Sequence, residues 1–415
     1  MKSSAIFLLK YCRVCKEKNV EKVASFGPTP LANAFLKSSE VDLPECYYPL
    51  DLYFCNSCGF LQLGHVVNPS LLFKNYVYAS STSQVFIKHF QDFASKIVGE
   101  FSLNKDSLAV DIGSNDGILL KPFKNLGIKI LGVDPAEEIS KKANREGIPT
   151  LIEFFDSKIA KKIKKTYGSA DIITATNAFA HIHDLDEIIK GLKILLKDQG
   201  VFIIEAPYII DFLKNKYFDL VYHEHLSYWS VRSLITLFHR FDMKVFDVEK
   251  VGVHGGSLRV FVALNSSDYK IKKNVRSFLK QEKLARVDKK ETYVIFGSTI
   301  QKSKLALIKL LAKIKSKNKI IAGYGAPAKG NTLLNFFGIG NETIDYIVDD
   351  SPLKQGLFSP GKKIPIVSPE YVRLHKPDYL FILAWNFADS IIERYGDFRK
   401  KGGKFIIPFP TPKIV

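Results

Sequence analysis

Residues 221–230 read Val-Tyr-His-Glu-His-Leu-Ser-Tyr-Trp-Ser. The chain has nine histidines, and two of them flank one glutamate here, with Tyr222, Tyr228 and Trp229 alongside. A buried apolar strand or helix would not place His-Glu-His, because each polar head needs a hydrogen-bonding partner once water is gone. A solvated loop has no use for the aromatics. The stretch reads as one wall of a pocket, and a neutral imidazole in such a wall is suited to take a proton near pH 7.

A second set of chemically capable residues is the cysteines. All five, Cys12, Cys15, Cys46, Cys55 and Cys58, lie in the first 58 residues. Four of them form two C-x-x-C pairs, "CRVC" and "CNSC". Each pair brings two thiolates onto one ion, and two pairs complete a tetrahedral Zn²⁺ shell of Cys12, Cys15, Cys55 and Cys58. Four thiolates leave no open coordination position, so this zinc is expected to be structural. Cys46 reads as a core or loop thiol. The long segment between the pairs must carry its own structure, with strands expected over "YPLDLYF" and "FLQLGHV".

The third set is a glycine turn, "DIGSNDG", with Asp111, Gly113 and Gly117. It leaves a strand and enters a helix. Gly113 lets the backbone turn close to a ligand and Gly117 keeps the helix start clear. The G-x-x-x-G spacing with an acid inside the strand differs from the G-x-G-x-x-G dinucleotide fingerprint. It resembles the S-adenosylmethionine loop of class I methyltransferases, with Asn115 where many of them have glycine. Asp134, ending "ILGVD", stands where an acid would take two ribose hydroxyls. Asn177 follows the strand "IITAT" at the edge where the cleft is expected. A second glycine turn, "GYGAPAKGN", carries Gly323, Gly325 and Gly330 with Asp349 and Asp350 after the next strand. There Pro327 removes a backbone N–H where a phosphate would want one. That turn is read as architectural or as a site for a nucleotide part of a substrate.

The elements that must position these residues alternate. From residue 108, strands "LAVDIG", "IKILGVDP", "ADIITATN" and "GVFIIEAP" are separated by helices, including "DLDEIIKGLKILLKDQG". This alternation predicts a parallel sheet with helices on both faces. "MKVFDVEKV" and "SLRVFVAL" follow each other without a helix, which predicts an antiparallel strand in that sheet. Residues 266–318 look helical throughout, and a second alternating unit follows from "KIIAGYGA" to "GKFIIPFP". The expected fold is α/β: a class I methyltransferase Rossmann-like sheet over 73–265, flanked by a zinc-binding module over 1–72 and a Rossmann-like α/β substrate-binding domain over 266–415.

Length and composition fit. The 415 residues, 46% hydrophobic and 25% charged, are those of a globular chain with two or three domains. No apolar run reaches about 18 residues, and the N-terminal one is too short for a signal peptide, so a cytoplasmic enzyme without a membrane partner is expected. The net charge of +18 admits a nucleic-acid partner, but the lysine runs are not interleaved with stacking aromatics and read as solvated helix faces. No specific nucleic acid is expected.

Taken in order, the zinc module, "DIGSNDG", "TNAFAHIHD", "EAPYI…FD…YHEHLSYWS", "HGGSLRVFV", "GYGAPAKGNTLLN" and "AWNF" resemble the sugar C-methyltransferases that act on nucleotide-linked keto-deoxysugars, over essentially the whole chain. The resemblance implies methylation of C3 of a dTDP-4-keto-deoxysugar in branched-sugar biosynthesis, with the substrate in a cleft between the last two domains. It implies that His225 is the catalytic base and that Tyr76, His181, Tyr222 and Glu224 occupy the other active-site positions. A small-molecule nucleotide sugar as the partner and a monomeric enzyme are expected. Carbon methylation requires a base, donors near the ketone oxygen and a methyl held in line. Tyr222 and His181 are the candidate donors, and Glu224 fixes the sugar or orients an imidazole. His223 reads as a structural neighbour, His183 as a helix-start residue and His254 as a loop residue near the cofactor. Tyr76 and Tyr78 stand among hydroxyls that suit a sugar. Two alternatives are a zinc-ribbon nucleic-acid methyltransferase, whose Asn/Asp-Pro-Pro-aromatic run is replaced here by "TNAFAHI", and a non-catalytic nucleotide-binding scaffold, which leaves His-Glu-His unexplained.

Overall fold

Leu108–Ile112 is buried at every position, as a strand covered by helices on both sides must be. It is β1 of a seven-stranded sheet whose other members are β2 (Lys129–Val133), β3 (Thr150–Leu151), β4 (Ala170–Thr176), β5 (Leu196–Pro207), β6 (Met243–Val251) and β7 (Ser257–Leu264). The order across the sheet is β3-β2-β1-β4-β5-β7-β6. Only β7 runs against its neighbours β5 and β6. This is the class I methyltransferase sheet that the alternation and the helix-less strand pair lead one to expect. The order reverses between β1 and β4, so the ligand crevice of such a sheet lies beyond their carboxyl ends. The computed structural model describes residues 5–74 and 84–415. Tyr76 and Tyr78 lie outside the described residues, as does the side chain of His254.

The helices start where local chemistry tells them to. Asp156 caps Ser157–Tyr167 by accepting from the Ile159 N–H at 2.8 Å, and Asp184 caps Leu185–Leu195 through the Glu187 N–H at 3.1 Å. The latter helix was expected to run to Gly200 but ends at Leu195. Leu196 already pairs with Ala170 on β4, the register slips before Val201, and Lys197 reaches Asp171 at 2.8 Å. The span 266–318 is likewise two helices, Lys273–Leu284 and Lys290–Lys315, with residues 266–272 outside them.

The N-terminal module is an antiparallel sheet of Val20–Thr29, Tyr48–Cys55 and Leu61–Leu63. Its fourth strand, Ser227–Tyr228, comes from the His-Glu-His stretch: Ser227 pairs with Gln62 and Tyr228 with Leu61. The C-terminal sheet has six strands in the order Ile366–Val367, Tyr346–Val348, Ile321–Tyr324, Tyr379–Ile382, Lys404–Ile407 and Lys413–Ile414. The last is antiparallel to its neighbour. The two short edge strands carry too few residues to show a period.

The two α/β units repeat one turn geometry without a shared sequence. In the first, Gly113 N–H donates to Val133 O at 2.8 Å, and Asp134 accepts from Asn115 N–H and Ala136 N–H at 2.8 Å each. In the second, Gly325 N–H donates to Val348 O at 2.7 Å, and Asp349 accepts from Ala326 N–H at 2.6 Å and Ser351 N–H at 2.9 Å. A continuous apolar core runs from Val14 and Leu52 through Ile173 and Trp229 to Leu333 and Ile406, so all three parts share one interior. Among the described residues no helix is long and apolar enough to cross a membrane.

Candidate active site

The turn that carries the histidines is anchored by Phe218, which is fully buried and stacks on Phe337 of the C-terminal unit at 5.1 Å between ring centroids. From there each polar head of His-Glu-His meets a different partner. His223 is 1% exposed, and its Nε2 lies 3.2 Å from the carbonyl of Tyr48 in the N-terminal module. A carbonyl only accepts, so this nitrogen carries the proton. Burial pushes His223 down to about 4. Glu224 is also buried, and its Oε1 accepts from Asn33 Nδ2 at 2.6 Å. His225 lies half-buried, with Nδ1 2.8 Å from the carbonyl of Leu220 and Nε2 2.8 Å from the hydroxyl of Tyr222. By the same logic Nδ1 holds the proton, Nε2 is the acceptor and the Tyr222 hydroxyl donates to it.

His181 stacks on His225 with centroids 5.0 Å apart and on Phe73 with centroids 5.6 Å apart. Burial pushes it down to about 4, so it is neutral at pH 7. Its Nε2 is buried and meets no hydrogen-bond partner among the described residues. The structure thus gathers His181, Tyr222 and His225 in one place, with Glu224 next along the chain. A small cavity of about 10 Å³ lies against His225, lined also by Ala180, Pro207, Ile209, Phe212, Leu220, Ser227 and Tyr228.

In the glycine turn after β1, Gly113 has φ +73° and Gly117 φ +78°. Asn115, between them, also takes a left-handed conformation at φ +51°, which asparagine tolerates better than most residues. Asp111 is pushed up to about 7 by burial, against the Thr174 hydroxyl that donates to it at 2.6 Å. Asp134 is also raised by burial, and the two N–H groups it accepts partly offset this. Each of its oxygens holds one backbone N–H, which leaves a further lone pair on each. Asn177, at φ +56°, anchors its N–H on Glu205 O at 2.7 Å. Asn177 Oδ1 and Ser114 Oγ are buried without a partner among the described residues. Orphaned acceptors and hydroxyls at the end of a methyltransferase sheet fit a polar cofactor that S-adenosylmethionine can be. The four thiols of Cys12, Cys15, Cys55 and Cys58 all lie within 4.8 Å of one another, a donor set and spacing that fit tetrahedral zinc. Cys46 is an exposed thiol apart from them.

Several residues of this region carry no signal in the sequence. Asn33 arrives from the N-terminal module. Glu205, fully buried on β5, is held by Arg259 at 3.0 Å and by His89 at 2.6 Å. From the C-terminal unit, Trp385 Nε1 donates to Asp219 at 2.6 Å, and Lys329 donates to Asn386. Burial pushes Asp219 up to about 6 and Lys329 down to about 8, each opposed by the other's charge. The "AWNF" and "GAPAKGN" motifs point to Trp385 and Lys329, and the "FD" of the family pattern to Asp219, but nothing in the sequence pairs them across 166 residues.

Three family descriptions match the chain in succession: a zinc binding domain over residues 12–73, a methyltransferase domain over 86–248, and a C-methyltransferase C-terminal domain over 252–410. C-methyltransferase NovU of Streptomyces niveus is 37% identical over 404 residues, 97% of this chain and 96% of that protein. A mitochondrial ubiquinone biosynthesis O-methyltransferase of Bos taurus is 29% identical over 100 residues, 23% of this chain and 27% of its own. Among solved structures, the magnesium protoporphyrin IX methyltransferase of Synechocystis with bound SAM covers 42% of this chain and 79% of its own, with 12% identity and a TM-score of 0.31. With a relative matched from end to end and a zinc module, cofactor sheet and C-terminal unit in the same order, the chain belongs to the S-adenosylmethionine-dependent C-methyltransferases.

Proposed function

We propose that this enzyme methylates carbon 3 of a nucleotide-linked 4-keto-deoxysugar, a dTDP-sugar in branched-sugar biosynthesis, with His225 as the base. The observation that supports this most is the tautomer of His225. Its Nδ1–H is committed to the Leu220 carbonyl at 2.8 Å, so Nε2 is the basic nitrogen. The same carbonyl steadies the imidazolium once a proton arrives.

A carbon beside a ketone is acidified because the charge left behind spreads to the ketone oxygen. Nε2 takes the carbon-bound proton and the electron pair moves into the enolate. The Tyr222 hydroxyl, which rests on Nε2 at 2.8 Å, turns to the oxygen that is gaining charge. Neutral His181 supplies a second donor there. Such donors act in a water-poor site, where they are worth most. Bound S-adenosylmethionine supplies the electrophilic methyl that the carbon nucleophile needs. Asp111, Gly113, Asn115, Gly117, Asp134 and Asn177 would hold it, with Asp134 taking hydroxyls on its remaining lone pairs. Asn33 fixes Glu224 for the sugar. Tyr76 is assigned to the site by resemblance alone.

The test is deuterium uptake from solvent. A dTDP-linked 4-ketosugar incubated with enzyme in heavy water exchanges hydrogen at the carbon next to the ketone. His225→Ala should slow exchange and methylation by about 10²–10⁴-fold, the usual worth of a positioned base, with cofactor affinity unchanged. Near-normal turnover in that variant removes His225 from the role.

A further inference from the structure

Arg13 stands between the two cysteines of the first C-x-x-C pair, yet it is only 2% exposed. Its side chain leaves the metal knuckle and enters the methyltransferase unit. Nη1 donates to Ser227 Oγ at 2.6 Å, Nη2 to the carbonyls of Ile182 and His183, the latter at 3.1 Å, and Nε to His183 O at 3.3 Å. These acceptors bracket the site. Ile182 and His183 follow His181, and Ser227 lies two residues after His225. One rigid, planar group therefore spans the two segments whose imidazoles stack at 5.0 Å.

The knuckle itself is tied down around Arg13. The Arg13 N–H donates to Oε1 of Gln62, a fully buried side chain whose Nε2 donates to Tyr11 O at 3.1 Å. Val14 O accepts from Arg240 at 2.8 Å, and Lys16 pairs with Asp186 at 3.0 Å. Cys12 and Cys15, which would hold zinc with Cys55 and Cys58, would fix the backbone on both sides of Arg13, and that backbone aims the guanidinium.

From this we infer that Arg13 is a positioning residue for proton abstraction: the zinc knuckle serves as the mount that sets His181 against His225. The inference rests on the reading of His225 as the base. It makes the metal module part of the catalytic frame although the metal touches no substrate. Misplacing a reacting group by about 1 Å costs on the order of 10²-fold in rate.

The test compares full-length enzyme with Arg13→Gln, Arg13→Lys, Ser227→Ala and His225→Ala. Four quantities are read: zinc per chain, cofactor affinity by calorimetry, histidine ring signals by NMR with labelled histidine, and cofactor-independent deuterium exchange into a dTDP-linked 4-ketosugar. In Arg13→Gln, zinc and cofactor affinity should stay near wild type. The His181 and His225 signals should move, and exchange should fall about 10–100-fold with little change in KM. Arg13→Lys should recover only part, because an ammonium lacks the planar fork. Should Arg13→Gln fail to fold, Ser227→Ala decides instead: a slower exchange supports the role and a wild-type rate overturns it. Wild-type exchange in Arg13→Gln beside an inactive His225→Ala also overturns the inference and leaves the base assignment standing. If His225→Ala still exchanges, the base assignment falls and the inference that rests on it falls too.

Discussion

His223 and His225 are two residues apart, and their rings are held in opposite ways. His223 is sealed against Tyr48, and its Nδ1 finds no partner among the described residues. His225 keeps both nitrogens in polar contacts at the pocket wall. Only the second arrangement can take up a proton and stabilise the charge that results. The first resists protonation, and this has a consequence for stability. His223 is depressed from 6.5 to about 4 by burial. A depressed group contributes stability that is present above its unfolded value and lost as pH falls through the folded one, here between pH 6.5 and 4. The difference is worth about 3 kcal/mol at 1.36 kcal/mol per pH unit. Urea titrations at pH 7.5, 6.0 and 5.0 should show His223→Gln losing less stability on acidification than wild type. It should also start about 1–2 kcal/mol lower, for the disturbed buried hydrogen bond. Parallel slopes would show that the acid response arises elsewhere.

At the scale of elements, the glycine turn proposed to hold the cofactor is a backbone device with very little slack. Gly113 sits at φ +73°, and a Cβ there would lie 2.6 Å from the Cβ of Ala178, far inside van der Waals contact. Gly113→Ala thus combines left-handed strain of about 1–2 kcal/mol with a clash against the loop that carries Asn177. Calorimetry should show cofactor binding weakened by at least tenfold, since each 1.4 kcal/mol is a factor of about ten. An unchanged affinity would mean that the turn does not approach the ligand. Such devices are the part of the molecule most legible in a sequence, because a glycine turn, a C-x-x-C pair and a strand-helix alternation each follow from local geometry. The sheet order, the antiparallel β7 and the four-thiol cluster are all of this kind. What stayed illegible has a different physical origin. The helix ending at Leu195 stops because Leu196 finds a strand partner 26 residues earlier, Ala170. Ser227–Tyr228 is a strand only because Leu61–Leu63 offers it an edge. Asn33, Arg13 and Asp219 matter through partners more than 160 residues away, and no local pattern encodes a partner at that distance.

The whole molecule is organised around segment 217–228, which each of the three parts holds from a different side. The N-terminal module grips it through Tyr48, Asn33 and the strand pairing at Gln62. The methyltransferase unit holds it through the Leu226 N–H on Ala180 O at 2.9 Å. The C-terminal unit holds it through Trp385, whose indole N–H reaches Asp219 at 2.6 Å and whose ring lies 5.1 Å from that of Tyr217. Trp385→Phe keeps an aromatic against Tyr217 and Phe409 but removes the donor to a carboxylate that is 1% exposed. A buried acceptor stripped of its partner costs about 1–3 kcal/mol, and this cost falls on the joint between the units, not on either sheet. Hydrogen–deuterium exchange should therefore speed up together in residues 217–221 and 383–388, while β1 at 108–112 keeps its protection. Kinetically, if the proposed sugar lies against segment 217–228, its KM should rise several-fold with cofactor affinity unchanged, because the Gly113 turn is fixed by β1 and β2 and not by this joint. Loss of protection spread evenly over both sheets, or a matching loss of cofactor affinity, would show that Trp385 supports the fold as a whole and that this joint has no separate role in placing the substrate.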